Sequence, residues 1–318
     1  MTANTVPFRK KAATGGFCLM TAFFILLLLK NPEIATECIG KGISICLKTV
    51  IPALFPFMIL TELLLICGFA DWFGRYLGGP IASLFGTNRQ GAAAVFLGFV
   101  CGFPIGARMA LGLYDRNIIN KEECERLLGF CNIPSIAFLV SAVGTSLYHS
   151  KRFGILLWLC CMTSAALVGI CTRKKEASKT KASPCTGPII GTSSITSAVA
   201  SASTAMISVC AYILFFGTIL GCLSLVLDSF GAPSVSRVLL YGFFEMTSGV
   251  SAAATVDNRA ASAVLCALAT GWSGLSVHLQ LMTLCDGREL SYRFYFFARL
   301  AQAIICAALV MVLLPVCF

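Results

Sequence analysis

The sequence has 318 residues, of which 58% are hydrophobic and 12% are charged, and its mean hydropathy is +0.87. Soluble domains are about one quarter charged, so this composition excludes an ordinary soluble protein and indicates an integral membrane protein in a lipid bilayer. The net charge of +10 comes mostly from short loops, so it bears on membrane topology, and no segment predicts binding to nucleic acid.

The N-terminal region, residues 1–49, begins with a basic flank at residues 9–11 and continues into an apolar run over residues 12–29. No small-residue cleavage site follows this run, so we predict a retained membrane helix rather than a cleaved signal peptide. The positive-inside rule places the basic flank, and with it the N-terminus, in the cytoplasm. Residues 34–49 are predicted to form an amphipathic segment.

Further apolar runs predict later membrane segments at residues 50–69, 90–113, 132–147, 153–171, 204–227, 260–284 and 294–317. A more polar stretch between two of them begins with Asn120, and Glu122 and Glu123 follow in the next turn. This pattern predicts a short capped helix over residues 120–131 at the membrane surface, with its charges in solvent.

A charged stretch that becomes rich in Ser, Thr, Pro and Gly predicts a polar linker over residues 172–203. The linker divides the remaining chain into two parts, residues 50–171 and residues 204–318. Its first basic residues, 173–175, are predicted to lie in the cytoplasm.

Five apolar segments lie between the two cytoplasmic basic regions, although only an even number of crossings can join them. One segment therefore does not cross, and we choose residues 90–113, because Gly102, Pro104 and Gly106 interrupt a helix there. We predict a re-entrant hairpin that enters from the cytoplasm. In the second part, residues 260–284 are predicted to form a hairpin that enters from outside, so the last helix returns the C-terminus to the cytoplasm.

A weak internal similarity supports this pairing of hairpins. The stretch "CGFPIGARMALGLYDR" at 101–116 aligns with "TGWSGLSVHLQLMTLCDGR" at 270–288 through a Gly-aromatic pair, a second Gly, an apolar run and an Asp near an Arg. We predict an all-α polytopic membrane bundle with two inverted repeats that contain re-entrant or broken helices, as in secondary transporters. Asp115 is then cytoplasmic and Asp286 lies outside.

Helix ends and open backbone at the two tips favour an anionic or hydrogen-bond-accepting solute. The candidate substrate-binding residues are those at the tips and the polar residues near them: Gly102, Phe103, Pro104, Gly106, Arg108, Asn132, Glu245, Thr247, Gly271, Ser273, Gly274, Ser276, His278 and Gln280.

Four of these candidates also have structural interpretations, which the sequence leaves open. Arg108 could extend to the cytoplasmic interface, and Asn132 could cap a helix. His278 could be a hydrogen-bonded structural histidine instead of a proton or substrate contact. Glu245 could form a structural ion pair, with Arg108 or Arg259 as its partner.

The chain has no motif that carries enzyme chemistry or binds a metal. It contains no phosphate-binding loop ending in GK[ST], no HExxH and no GxSxG. The 17 cysteines are spread through apolar segments without a CxxC pair, so we interpret them as reduced, buried, small side chains. We therefore expect no enzyme activity, no cofactor and no metal ion.

Four stretches resemble the sporulation integral membrane protein family typified by YlbJ, and together they cover roughly residues 45–317. They are "LFPFMILTELL" at 54–64, "FEMTSG" at 244–249, "GFPIGARMALGLYDRNIINKEECERLLGFCNIPSIAFLVSAVG" and "GWSGLSVHLQLMTLCDGRELSYRFYFFARLAQA". The resemblance implies a multi-pass plasma-membrane protein of spore-forming bacteria that is required for sporulation. It also implies a nucleoside recognition or Gate domain, similar to parts of concentrative nucleoside transporters, in each of the two repeats.

The resemblance leads us to expect a transporter-like protein that binds or moves a small polar solute such as a nucleoside. The alternative is a non-transporting membrane scaffold that acts in spore-envelope assembly through other sporulation membrane proteins. The sequence leaves open whether the chain forms a homo-oligomer.

Overall fold

The computed structural model describes residues 8–174 and 191–316, and this part of the chain is helical without a β-strand, as predicted. Residues 175–190 of the predicted linker lie outside the described residues. The helices are α1 (Phe8–Lys30), α2 (Pro32–Ile45), α3 (Ile51–Ile66), α4 (Phe69–Tyr76), α5 (Gly78–Phe85), α6 (Gly91–Val100), α7 (Ile105–Asp115), α8 (Lys121–Phe130), α9 (Lys151–Cys171), α10 (Thr192–Ser229), α11 (Ser234–Phe244), α12 (Met246–Ala254), α13 (Arg259–Trp272), α14 (Gly274–Leu284) and α15 (Arg293–Leu313). Two π-helical segments (Cys46–Val50 and Phe138–Leu147) and a 3-10 turn (Leu314–Val316) complete them.

Four spans of the described chain are long and apolar enough to cross a membrane: α9, α10, the α13–α14 pair and α15. Two sharply bent pairs, α1 with α2 and α3 with α4, raise this number to six if each is one span. The protein is therefore a multi-pass membrane protein. Helix α10 begins at Thr192, so residues 192–203 of the predicted linker are helical.

Helices α6 and α7 form the first hairpin, in the segment where the sequence predicts one. Their legs meet at Gly98 and Gly106, since a Cβ on Gly106 would lie only 2.7 Å from the Gly98 Cα. The turn between the legs uses Gly102, whose φ of +77° favours glycine. Small residues thus allow both legs to pack side by side within a short segment.

Replacing Gly106 with alanine is expected to destabilise the protein by about 1–3 kcal/mol, because the new methyl group would overlap the Cys131 carbonyl and the Gly98 backbone. Gly79→Ala in α5 is the matched control, since a Cβ at Gly79 has no neighbour within 4 Å. Thermal unfolding in detergent measures both. Equal melting temperatures for the two variants would contradict the close packing of the hairpin legs.

The second hairpin is formed by α11 and α12, and the prediction of a hairpin over residues 260–284 is wrong. Gly242 and Gly249 bring the legs of this hairpin together, and the chain turns at Glu245. In contrast, Arg259–Leu284 forms a single span of 26 residues. Ser273 has a φ of 72°, which interrupts this span without reversing it.

The same order of elements thus occurs twice in the described chain: a hairpin, an interrupted helix and a closing helix. The first half contains α6–α7, then α8 with the π-helical Phe138–Leu147, then α9. The second half contains α11–α12, then α13–α14, then α15. We call α9 and α15 the closing helices.

Two hydrophobic cores lie at opposite ends of the bundle, and their members show that the closing helices are antiparallel. One core contains Val168 near the end of α9 and Tyr295 near the start of α15. The other contains Phe153 near the start of α9 and Val310 near the end of α15. The first hairpin packs in the former core and the second hairpin in the latter, so the hairpins lie at opposite ends.

The prediction that Asp115 and Asp286 lie on opposite sides of the membrane needs correction. Arg288 forms an ion pair with Asp115 at 2.6 Å, so the loop that contains Asp286 lies on the same face as Asp115. Lys174 pairs with Glu122 at this face, whereas α15 ends at the opposite one. Lys174, at the start of the predicted linker, and the end of α15 therefore lie on opposite faces of the bundle.

Candidate functional site

The tip of the first hairpin packs against the break in the first interrupted helix. Residues 131–135 lie between α8 and the π-helical segment without helical structure, and the Phe103 N–H donates to the Ile133 carbonyl at 2.8 Å. A Cβ at Gly102 would lie 2.7 Å from the Ser135 nitrogen. Only a glycine allows this approach between two backbone segments.

The tip of the second hairpin packs in the same way against the second break. Gly274 has a φ of +79°, and a Cβ there would lie 2.8 Å from the Met246 nitrogen. Met246 directly follows Glu245, at which the hairpin turns. Each half of the protein therefore brings a hairpin tip onto the break of its own interrupted helix.

A cavity of about 610 Å³ lies between both tips and both breaks. Phe103 from the first tip and Pro134 from the first break line one part of it. Six predicted residues line this cavity: Phe103, Glu245, Thr247, Ser273, Ser276 and Gln280. The sequence did not predict the other polar lining residues, which are Lys48, Ser135, Ser141, Ser146 and Ser251.

Glu245 provides the carboxylate in the cavity lining and also caps α12. It is 3% exposed, and its carboxylate accepts from the Thr247 N–H at 3.0 Å and the Ser248 N–H at 2.7 Å. The Thr247 hydroxyl donates to the second oxygen at 2.5 Å. Its partners are thus the N-terminal groups of its own helix, rather than the predicted Arg108 or Arg259.

Ser276 and Gln280 lie one turn apart on α14 and extend the polar wall. The Gln280 amide nitrogen donates to the Ser276 hydroxyl at 3.1 Å, and both side chains are buried in the protein while lining the cavity. Because Ser273 and Ser276 lie at the N-terminal end of α14, this wall also carries the positive end of a helix dipole.

The other predicted residues do not line the cavity. Gly102, Gly106, Gly271 and Gly274 provide close backbone packing, and Pro104 ends the first tip.

Asn132, His278 and Arg108 have side-chain partners away from the cavity. Asn132 donates to the Leu128 carbonyl at 2.6 Å. The His278 Nδ1 lies 2.7 Å from the Tyr295 hydroxyl, in a fully buried position.

Arg108 connects the first hairpin to two helices outside the two halves. It forms an ion pair with Glu62 on α3 and donates to the Ser201 hydroxyl on α10 at 2.5 Å. Its side chain is 10% exposed. This contact stabilises the outer side of the hairpin, and Arg108 does not line the cavity. Its role in substrate binding stays a prediction.

Sequence reasoning missed Arg299, the most deeply buried cation near the site. It is 1% exposed, and no carboxylate of the described residues is within ion-pair distance of it. One Nη donates to the Ser273 hydroxyl and the other donates to the Gln302 amide oxygen at 2.6 Å. The signal was present, since an arginine and a glutamine three residues apart interrupt an apolar membrane segment.

Gln302 extends this network to the first half. Its amide nitrogen donates to the Gly129 carbonyl at 2.8 Å, near the end of α8. Gly129 lies near the C-terminal end of α8, whereas Ser273 lies at the junction between the C-terminus of α13 and the N-terminus of α14. Through Ser273 and Gln302, Arg299 therefore connects the break in the second half to the end of α8 in the first half.

These features define an all-α, multi-pass integral membrane protein with a cavity between two interrupted helices. The chain is 27% identical to sporulation integral membrane protein YlbJ of Bacillus subtilis (strain 168), in an alignment that covers 93% of this chain and 82% of that protein. This similarity confirms the predicted resemblance to the YlbJ family. No family model matches the chain, and no solved structure matches it significantly. The Gate domain stays a prediction.

Proposed function

We propose that this protein binds a small polar solute between its two hairpin tips and moves it across the plasma membrane of a sporulating cell. The observation that carries the proposal is the cavity of about 610 Å³, whose lining includes residues from both tips and both breaks. Its volume is within the range of small-molecule sites, roughly 300–1,000 Å³. The role in sporulation follows the name of the relative.

The position of the hairpins supports alternating access. The two hairpins pack in cores at opposite ends of the bundle, while both tips reach the same cavity. Displacement of either hairpin would open the cavity toward one side only. Two inverted repeats, each with a hairpin and an interrupted helix, would provide this behaviour.

The charges around the cavity favour a solute with an anionic group. Lys48 lines the cavity, and Arg299 lies behind Ser273. The carboxylate of Glu245 is already hydrogen-bonded by the N-terminus of α12. Phe103 and Phe138 add aromatic surface that suits a planar ring. A nucleoside matches the ring and the hydrogen bonds, and a ring-bearing anion matches the charge as well.

The proposal is tested with purified protein, by measuring uptake into liposomes and equilibrium binding. The matched solutes are a nucleoside, its 5′-monophosphate, an organic carboxylate and a cation of similar size. We expect binding of at least one anionic or neutral member and weaker binding of the cation. If no member binds to protein that unfolds cooperatively, the transport proposal fails and the scaffold alternative is favoured.

Thr247→Ala is expected to weaken binding of that solute about three- to tenfold, because it removes a hydroxyl from the cavity wall and from the Glu245 carboxylate. Thr204→Ala is the matched control, since Thr204 is exposed on α10 and bonds only within its helix to the Ala200 carbonyl. Equal binding by the two variants would argue against the cavity as the solute site.

A further inference from the structure

Two buried thiols from different halves of the protein lie in contact. Cys161 is on the closing helix α9 and Cys306 is on the closing helix α15, and their sulfur atoms are 3.5 Å apart. Their exposed fractions are 2% and 0%. The sequence analysis interprets the cysteines as reduced, buried, small side chains, but these two connect the closing helices α9 and α15.

Cys161 also has a hydroxyl neighbour on α13. The Cys161 thiol donates to the Thr270 hydroxyl oxygen at 3.7 Å, and the Thr270 hydroxyl itself donates to the Cys266 carbonyl at 2.9 Å. The thiolate is the nucleophilic form of cysteine, so the Cys161 thiol reacts after it loses its proton. A second thiol in contact is the arrangement that converts an oxidised cysteine into a disulfide.

We propose that Cys161 and Cys306 form a reversible disulfide between α9 and α15 when a peroxide reaches the bundle. The Cys161 thiolate attacks one peroxide oxygen, the O–O bond breaks, and a sulfenic acid forms as hydroxide leaves and takes a proton to become water. The Cys306 sulfur then attacks the sulfenic sulfur, the S–S bond forms, and a second water leaves. Two thiols and one peroxide thus give one disulfide and two waters.

This disulfide would constrain the two halves without entering the cavity. Neither thiol lines the cavity, whereas each lies on the helix that closes its half. A covalent bond at this point would hold the antiparallel closing helices in one relative position. The proposal therefore concerns an oxidative modification and does not depend on which solute the protein binds.

Differential thiol labelling of the full chain in membranes tests the pair. The membranes are treated with hydrogen peroxide, the protein is denatured, and free thiols are blocked with light N-ethylmaleimide. Disulfides are then reduced, labelled with the heavy reagent and quantified by mass spectrometry of peptides. We expect heavy label at Cys161 and Cys306 to equal extents, and its loss when a reductant precedes the blocking step.

Two variants identify the partner. Cys306→Ser should remove the heavy label from Cys161, whereas Cys266→Ser, a change at another fully buried thiol, should leave the pair unchanged. Heavy label at neither position, or heavy label on Cys161 that persists in Cys306→Ser, would overturn the proposal. If the Cys306→Ser variant does not fold, the protein without substitutions still provides a test. Unequal heavy label at Cys161 and Cys306 in that protein would also overturn the proposal.

Discussion

Arg299→Met is expected to weaken binding of an anionic solute by roughly 100-fold, which corresponds to about 2.7 kcal/mol, while the protein still folds. The loss follows from removing the cation behind Ser273 at the cavity wall. Stability should change little, because a buried arginine without a carboxylate partner costs free energy, and methionine fills a similar space without a charge. Binding titrations and thermal unfolding measure the two effects separately.

Arg299→Lys and Arg126→Met are the controls. Lysine keeps the charge but donates less well to two partners, so we expect an intermediate loss of roughly tenfold. Arg126 is also buried, at 6% exposure, but it donates to the Phe85 and Gly86 carbonyls and does not line the cavity. Its replacement should leave solute binding unchanged. The opposite pattern, in which Arg299→Met unfolds the protein and Arg126→Met weakens binding, would contradict this assignment.

Glu245→Ala is expected to destabilise the protein by about 2–4 kcal/mol. The change removes an N-cap and leaves the partly buried N–H groups of Thr247 and Ser248 without an acceptor. Glu245→Gln keeps one acceptor oxygen, so it should cost about 1–2 kcal/mol. Glutamine also removes the negative charge from the cavity lining, so it should tighten binding of an anionic solute. Thermal unfolding and titration of the same preparations test both statements.

Asn258→Ala provides the matched cap variant for Glu245. Asn258 caps α13 through a single hydrogen bond to the Ala261 N–H at 2.9 Å, in an exposed position. Its loss should cost about 1 kcal/mol, without an effect on solute binding. If Glu245→Ala costs no more than Asn258→Ala, the carboxylate does not organise the second tip.

The first hairpin could be predicted from the sequence because its evidence is local. Two glycines and a proline interrupt one apolar run, and counting crossings showed that one run fails to cross. The second hairpin lacks such evidence. Its legs are short, and the polar Glu245 at its turn hides it from a search for apolar runs, while Ser273 resembles a turning point although the span continues.

The helix over Lys121–Phe130 shows the limit of local patterns. Asn120 caps it as predicted, through the Glu123 N–H at 2.8 Å. The prediction that its charges lie in solvent is wrong for Glu123 and Arg126, which are buried. Glu123 accepts from the Asn88 N–H at 2.7 Å, and this partner is 35 residues earlier in the chain. Contacts between distant segments decide burial, and a single sequence does not reveal them.

Only part of the candidate site could be predicted from the sequence, because contacts between distant segments bring its other residues together. Ser273, Ser276 and Gln280 were identified because they surround a visible interruption in an apolar run. Ser141 and Ser251 carry no such signal, since they reach the cavity only through packing of helices from different halves. Arg299 was detectable by its charge alone, but its two helix-end contacts depend on the position of α15.

Solute binding between the two hairpin tips is tested most directly by a cryo-electron microscopy map of the protein at a saturating concentration of the solute that binds best. Solute density is expected between Phe103, Glu245 and Ser276, enclosed by both hairpin tips. An empty cavity at saturation, or solute density at a position that neither tip contacts, would contradict it.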